Sequence, residues 1–285
     1  MATGAHPLQR DPGAESGWRP HTAGVARAVG MIALAVAAFL ATYLVFVRTG
    51  TGQRLDQVAI DHVGQAWRTR AAVANVLDWI TSGLIVLVSG ACVVIAAIRQ
   101  RWLLAAGALV VIAGANITTQ LLKKVVLSRP DFGYGVTNSF PSGHTTVVTS
   151  LVLAVLLVAP RSARWLVELA GSVCVAVIGV GTVVNSWHYP SDVIGGLLVA
   201  LVWGLAVLAA ISAVEPADPR RTPRSHPLAL LVGLVIAAFI FVSFGVRPGG
   251  STRDLIVIAT TMSGLAVAGA LTVGIFARML DARSI

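Results

Sequence analysis

His188-Tyr189-Pro190-Ser191-Asp192, followed by Val193-Ile-Gly-Gly-Leu-Leu-Val-Ala-Leu-Val-Trp-Gly-Leu-Ala-Val-Leu-Ala-Ala-Ile-Ser-Ala213, decides the fold. No side chain from Val193 to Ala213 carries a charge. A helix of that length crosses a ~30 Å hydrocarbon core. Similar apolar blocks recur along the chain, and the predicted spans are 27–47, 73–97, 102–122, 143–160, 165–186, 191–213, 228–246 and 254–277. A mean hydropathy of +0.83, with 56% apolar and 12% charged residues, excludes an ordinary soluble globule. Lipid cannot satisfy backbone polar groups, so each span must satisfy its own. The fold class is therefore all-α, a polytopic membrane helical bundle.

Helices in lipid gain little by burying hydrocarbon against hydrocarbon, so small residues and polar contacts must pack them. Gly195-Gly196 and the run from Ser263-Gly264 to Gly269 are the expected packing faces. Residues 1–26 are polar and read as a disordered tail. The apolar run after them is too long for a signal-peptide core and lacks a small-residue cleavage site, so it reads as a retained first span. Residues 27–213 form a six-span core, 214–227 a linker rich in Pro and Arg, and 228–285 two additional spans without motifs. Between the first two spans, Leu55, Val58, Ala59, Val63 and Trp67 recur at helical spacing among Arg54, Asp56, Asp61 and Arg68. That pattern predicts an amphipathic helix in the interface.

The formal charge is +9, and Lys123 and Lys124 are the only lysines among 21 basic residues. No soluble basic module is present to bind nucleic acid. The excess suits cytoplasmic loops and anionic lipid. Cys92 and Cys174 fall inside spans and read as core fillers. With Lys123, Lys124 and Arg129 set aside, the remaining basic residues favour an N-terminus inside. The third and fifth connections then share the extracytoplasmic face, and the chemistry-bearing residues sit on them.

Asn138-Ser139-Phe140-Pro141-Ser142-Gly143-His144 opens the fourth span. Ser142 suits an N-cap, and Gly143 lets backbone approach a ligand at the positive helix end. His144 is placed to protonate a leaving oxygen. His188 and Asp192 are four apart across a Pro-Ser helix start, so the carboxylate can hold one ring nitrogen while the other acts as nucleophile. Lys123 and Arg129 supply positive charge for phosphate oxygens. Taken singly, each element has a plainer account: an interfacial histidine beside a capping aspartate, a loop-to-helix cap, or snorkelling cations.

In combination they resemble the type-2 phosphatidic acid phosphatase superfamily, also called the lipid phosphate phosphatase and vanadium haloperoxidase superfamily, over about residues 50–213. Its blocks are Lys-x6-Arg-Pro, Pro-Ser-Gly-His and Ser-Arg-x5-His-x3-Asp. Pro141–His144 completes the second block, and His188 with Asp192 keeps part of the third. The resemblance implies a membrane-embedded lipid phosphate or diphosphate phosphatase working through a phosphohistidine. His188 would attack, oriented by Asp192, and His144 would act as the acid. Lys123, Arg129, Ser142 and the Gly143 amide would hold the oxygens.

Two departures stand out. Lys123 precedes Arg129 at x5 (Lys124 at x4), so either lysine can take that role, with Lys123 preferred. Gly181-Thr182 stand where Ser-Arg is expected, and losing a charge-assisted contact costs ~1.5–3 kcal/mol, about one to two decades in rate. A compensating cation (Lys124 or an arginine of 48–70), neutral donors on Asn185 and Ser186, a slower enzyme, or a site that binds without turnover would each answer it. A phosphotransferase with the same chemistry is the neighbouring alternative. No metal is implied, because two-metal chemistry needs clustered carboxylates and Asp56, Asp61, Asp131, Asp192 and Asp254 read as scattered. Asp78 has no assigned role. No cofactor is called for. The expected partners are the membrane and a lipid phosphate entering from it, and a homodimer remains open.

Overall fold

The computed structural model describes residues 20–63, 82–134, 137–214, 226–243 and 252–282. Among them are nine α-helices and no strand: α1 Pro20–Thr42, α2 Gly50–Val63, α3 Ser82–Ile98, α4 Trp102–Leu121, α5 Gly143–Val158, α6 Arg164–Val184, α7 Pro190–Val214, α8 Pro227–Ser243 and α9 Thr252–Asp281. Helix α1 begins ahead of the expected span start at residue 27. α1 and α4 each widen at their C-terminal end into a π-helical turn, Tyr43–Val47 and Leu122–Val126. Five segments are long and apolar enough to cross a membrane: Gly24–Val47, Trp102–Val126, Arg161–Val184, Pro190–Val214 and Leu255–Asp281. Gly83–Ile98, Gly143–Val158 and Pro227–Ile240 are shorter apolar helices. The start of the second expected span and the end of the seventh lie outside the described residues, as do Trp67 and Asp78.

Helices α5 and α7 pack on each other and each also packs on α4 and α6, forming the centre of the bundle. Helix α1 lies along α7, α3 covers α4 and α5, and α8 and α9 both pack on α6. Leu153, Leu156, Leu157, Leu205, Leu208, Phe276 and Leu280 are fully buried in one continuous core. Polar contacts join the helices as lipid packing requires. Asn116 Nδ2 donates to Ser150 Oγ at 3.2 Å, Trp203 Nε1 donates to Thr118 Oγ1 at 3.0 Å, and the Thr119 and Thr146 hydroxyls share a hydrogen bond of 3.0 Å. Gly195 and Gly196 are needed for close approach. A Cβ on Gly195 would fall 2.6 Å from the Phe140 ring, and one on Gly196 would fall 2.7 Å from the Ser142 carbonyl oxygen. They seat the Phe140–Ser142 segment on α7. In the other expected face, Gly269 sits against Val175, whereas Gly264 has open space beside it.

The helix expected between the first two spans forms, and polar residues join Ala59 and Val63 on its buried face. Gly52, Gln53, Asp56, Ala59 and Val63 are buried, and Leu55 is 57% exposed. The polar pair turns inward because it has hydrogen-bond partners on other segments, and those partners lie at the site.

Candidate active site

Four helix ends meet at one end of the bundle: the C-terminal ends of α4 and α6 and the N-terminal ends of α5 and α7. The centre of the cluster is Asp192. It sits in the first turn of α7, where its carboxylate reaches back to the Tyr189 N–H at 3.0 Å, the reciprocal half of a capping box. One of its oxygens takes Arg129 Nη2 at 2.7 Å, an ion pair in which both side chains are fully buried. The other faces His188 Nδ1 at 3.4 Å and also accepts the Ser139 hydroxyl. A buried carboxylate is tolerated only when paired in this way. Its grip on Nδ1 leaves His188 Nε2 as the atom available to a ligand.

The His188 backbone is fixed independently. Helix α6 ends in a Schellman motif: Ser186 N–H donates to Val183 O at 2.9 Å and Trp187 N–H to Thr182 O at 3.0 Å. His188 N–H joins the same Thr182 carbonyl at 3.3 Å. Ser186 takes the left-handed position with φ 58°. The His144 and His188 ring centroids are 6.0 Å apart, edge to face, and Trp187 lies 5.4 Å from His144. The two imidazoles thus lie at the same end of the bundle as the Arg129 guanidinium, which shares Asp192 with His188.

Ser142 caps α5. Its hydroxyl accepts Thr145 N–H at 3.4 Å and the Thr145 hydroxyl at 3.1 Å, and its own N–H donates to Asp192 O at 2.8 Å. The last bond ties the second motif block directly to the third. Helix geometry leaves the Gly143 N–H without an intrahelical partner. Gly143 has room for a Cβ, with Gln120 Nε2 at 3.6 Å, so on the protein side no clash demands glycine there.

Arg129 is held as well as charged. Its guanidinium lies 4.4 Å over the Tyr189 ring, a cation–π stack. Its Nε and Nη1 are buried and have no hydrogen-bond partner among the described residues. Two such donors on a buried guanidinium are costly unless a ligand receives them. Lys123 is half-buried within electrostatic reach of Asp192, and Lys124 is exposed. The π turn on which both lysines sit has its own angular step per residue, so the short Lys-to-Arg spacing is not a plain helical rotation.

At the position of the absent arginine, Thr182 is fully buried and its hydroxyl donates to Gly179 O at 2.8 Å. Asn185 is also engaged, donating to Gly181 O at 3.0 Å. Arg48 donates to Ser128 Oγ at 2.9 Å, and Arg54 is exposed. Arg68 and Arg70 lie outside the described residues.

Three residues at the site carry roles that the sequence reading did not assign. Ser139 binds Asp192 and Tyr189 stacks on Arg129. Asp56, read as one of several scattered acids, is buried on α2 and accepts both the hydroxyl and the N–H of Ser191, the latter at 3.2 Å. Ser191 therefore serves as donor to Asp56 rather than as a simple cap. Burial pushes the Asp56 carboxyl up to about 7. Polar residues at i, i+3 and i+4 on α2 (Gln53, Asp56, Gln57) were the available signal.

At the far end of α6 lies a second polar cluster. Arg164 pairs with Asp281 at 2.6 Å and His226 with Glu168 at 3.1 Å. Among the described residues, Glu168, His226 and Asp281 are the group whose ligand atoms come close enough to hold a metal. The Arg164 guanidinium already on Asp281 competes with a cation there.

An open apolar groove of about 620 Å³ runs between α3, α5, α6 and α8, lined by Val148, Leu151, Val155, Ala170 and Cys174 among others. Val148 stands one turn beyond His144 on the same face of α5.

Residues 104–215 match the model of the PAP2 superfamily. The matched stretch includes every candidate residue of the three blocks and stops short of α2, α8 and α9. The chain is 33% identical over 97 residues to a lipid A 1-phosphatase of Rhizobium etli, covering 29% of this chain and 40% of that protein. It is 33% identical over 97 residues to a lipid A 1-phosphatase of Rhizobium johnstonii, covering 29% and 38%. The chain thus spans about two fifths of the length of these curated relatives. No solved structure matches.

Proposed function

From the match of residues 104–215 to the PAP2-superfamily model and the geometry beside it, we propose that the protein is an integral-membrane lipid phosphatase. It cleaves a phosphomonoester or diphosphate from a lipid through a phosphohistidine on His188. His188 Nε2 attacks phosphorus while the bond to the leaving oxygen breaks, and Asp192 keeps the proton on Nδ1. His144 gives its proton to the leaving oxygen. It then takes one from the water that attacks the phosphohistidine, so inorganic phosphate leaves and both imidazoles return to their starting state. The Arg129 Nε and Nη1 donors, Lys123 and the Gly143 amide hold the phosphoryl oxygens. Ser142, fully buried, contributes by fixing the start of α5.

The observation that carries this reading is the buried Arg129 guanidinium beside the His188–Asp192 pair, with two donors unpartnered among the described residues. Phosphoryl transfer asks a protein for charge neutralisation and in-line positioning, and this arrangement offers both. The apolar groove whose lining includes Val148, one helical turn from His144, supports a substrate with hydrocarbon chains. The relatives are named for removing a phosphate from lipid A, so lipid A belongs in the substrate panel beside glycerophospholipid and isoprenoid phosphates. An N-terminus-inside orientation would put the site on the extracytoplasmic face. In the test, purified protein releases inorganic phosphate from a lipid phosphate in the presence of a chelator, and His188→Ala reduces release to background. Full activity in His188→Ala removes the proposal.

A further inference from the structure

Helix α2 touches the site at three residues on two stretches, each time at the neighbour of a residue that carries the chemistry. Gln53 Nε2 donates to Pro130 O at 2.7 Å, and Pro130 follows Arg129. Asp56 receives the hydroxyl and the N–H of Ser191, and Ser191 precedes Asp192. Gln57 Oε1 accepts the Tyr189 hydroxyl at 3.1 Å, and Tyr189 follows His188. The corner between α1 and α2 holds the other side of Arg129: the Tyr43 hydroxyl donates to Ser128 O at 2.9 Å, and Arg48 binds Ser128 Oγ.

Gln53 and Asp56 are buried, 2% and 3% exposed. Polar side chains are rarely enclosed to that degree unless their contacts matter. An apolar residue would pack α2 more simply and avoid the desolvation cost. All three residues lie outside the stretch that matches the PAP2 superfamily.

We propose that α2 is a positioning clamp for the phosphoryl-transfer site, and that Asp56 is the residue through which it fixes the Asp192 carboxylate against His188 and Arg129. The proposal rests on the phosphatase reading of that site. Asp56 holds two donors of Ser191 at once, so the first turn of α7 can neither rotate nor slide. The carboxylate one residue later must meet Arg129 Nη2 at 2.7 Å and His188 Nδ1 at 3.4 Å together. Misplacement by about an ångström costs on the order of 100-fold in such a site, although the clamp touches no substrate.

The test compares wild type, Asp56→Ala, Asp56→Asn and Ser191→Ala as purified full-length protein, with a short-chain phosphatidate in detergent micelles. Rates are taken per folded molecule, scored by size exclusion and thermal unfolding. Asp56→Ala is expected to lower kcat about 10- to 100-fold with KM within about threefold. Asp56→Asn is expected to recover kcat to within about threefold of wild type, because the amide oxygen accepts the Ser191 N–H and the amide nitrogen donates to its hydroxyl. Ser191→Ala removes only the hydroxyl contact. It should cost about threefold to tenfold in kcat, and it carries the test if Asp56→Ala does not fold. An unchanged kcat in the alanine variants, a loss confined to KM, or a loss that asparagine does not recover overturns the clamp. Wild type inactive on the phosphatidate and on the whole panel of lipid phosphates above refutes the phosphatase reading and the clamp with it. Active wild type with equally active variants refutes the clamp alone.

Discussion

Ser186 occupies the left-handed position of the Schellman motif that turns the chain from α6 toward His188, with φ 58°. That conformation costs a residue with a Cβ ~1–2 kcal/mol, which glycine avoids at a smaller entropic cost. Ser186→Gly should therefore raise stability by about 0.5–1 kcal/mol, read as a higher Tm in detergent. An unchanged or lower Tm would mean that the serine side chain offsets the strain. Asp56 makes a second prediction at this scale. Its carboxyl in the fold titrates near 7, raised by burial from an ordinary value of 3.8. The folded chain thus binds this proton more tightly than the unfolded chain. The stabilising contribution is fully present below pH ~4 and is lost as pH rises toward about 7. Wild type should lose Tm across that window, and Asp56→Asn, which cannot ionise, should lose less. Parallel pH profiles would show that Asp56 ionises freely in the fold.

The elements differ in how plainly the sequence announces them. Helices α5 and α7 are legible from their caps, because Ser142 and the Pro190-to-Asp192 start use local hydrogen bonds that short spacing encodes. Helix α2 is legible as a helix but not in its orientation. Its apolar spacing does not single out Gln53 and Asp56, which go in to meet Pro130 and Ser191, partners remote in sequence. The ion pair of Arg129 with Asp192 and the Arg129 stack on Tyr189 were equally hidden, since both depend on how α4 and α7 pack. The groove between α5 and α6 belongs to this scale too. Cys174 and Ala170 lie one turn apart on the open face of α6, and Cys174 is exposed. Cys174→Trp would fill the groove and should reduce kcat/KM for long-chain lipid phosphates about tenfold or more. Its activity on a short-chain analogue should stay near wild type. Equal losses on both substrates would separate the groove from substrate recognition.

On the scale of the whole molecule, the bundle followed from uncharged blocks of span length, because lipid allows few other solutions to the backbone. The meeting of three motif blocks at one end followed from counting spans between them. The attachment of α8 and α9 did not. It rests on the buried Arg164–Asp281 pair and on His226 with Glu168, which tie both helices to the far end of α6, away from the site. The α1–α2 corner lies at the near end and braces Arg129 and Asp192, so the two ends of the bundle are fastened by different polar clusters. What unites the account is transfer of a phosphoryl group to His188. The most direct measurement is rapid acid-free quenching of the protein with a lipid phosphate labelled in its phosphoryl group, followed by mass spectrometry of the peptides. A transient adduct on His188, stable to base and labile to acid, that is absent from His188→Ala is the predicted result. Steady turnover with no label on His188, or with the label on another residue, would contradict it.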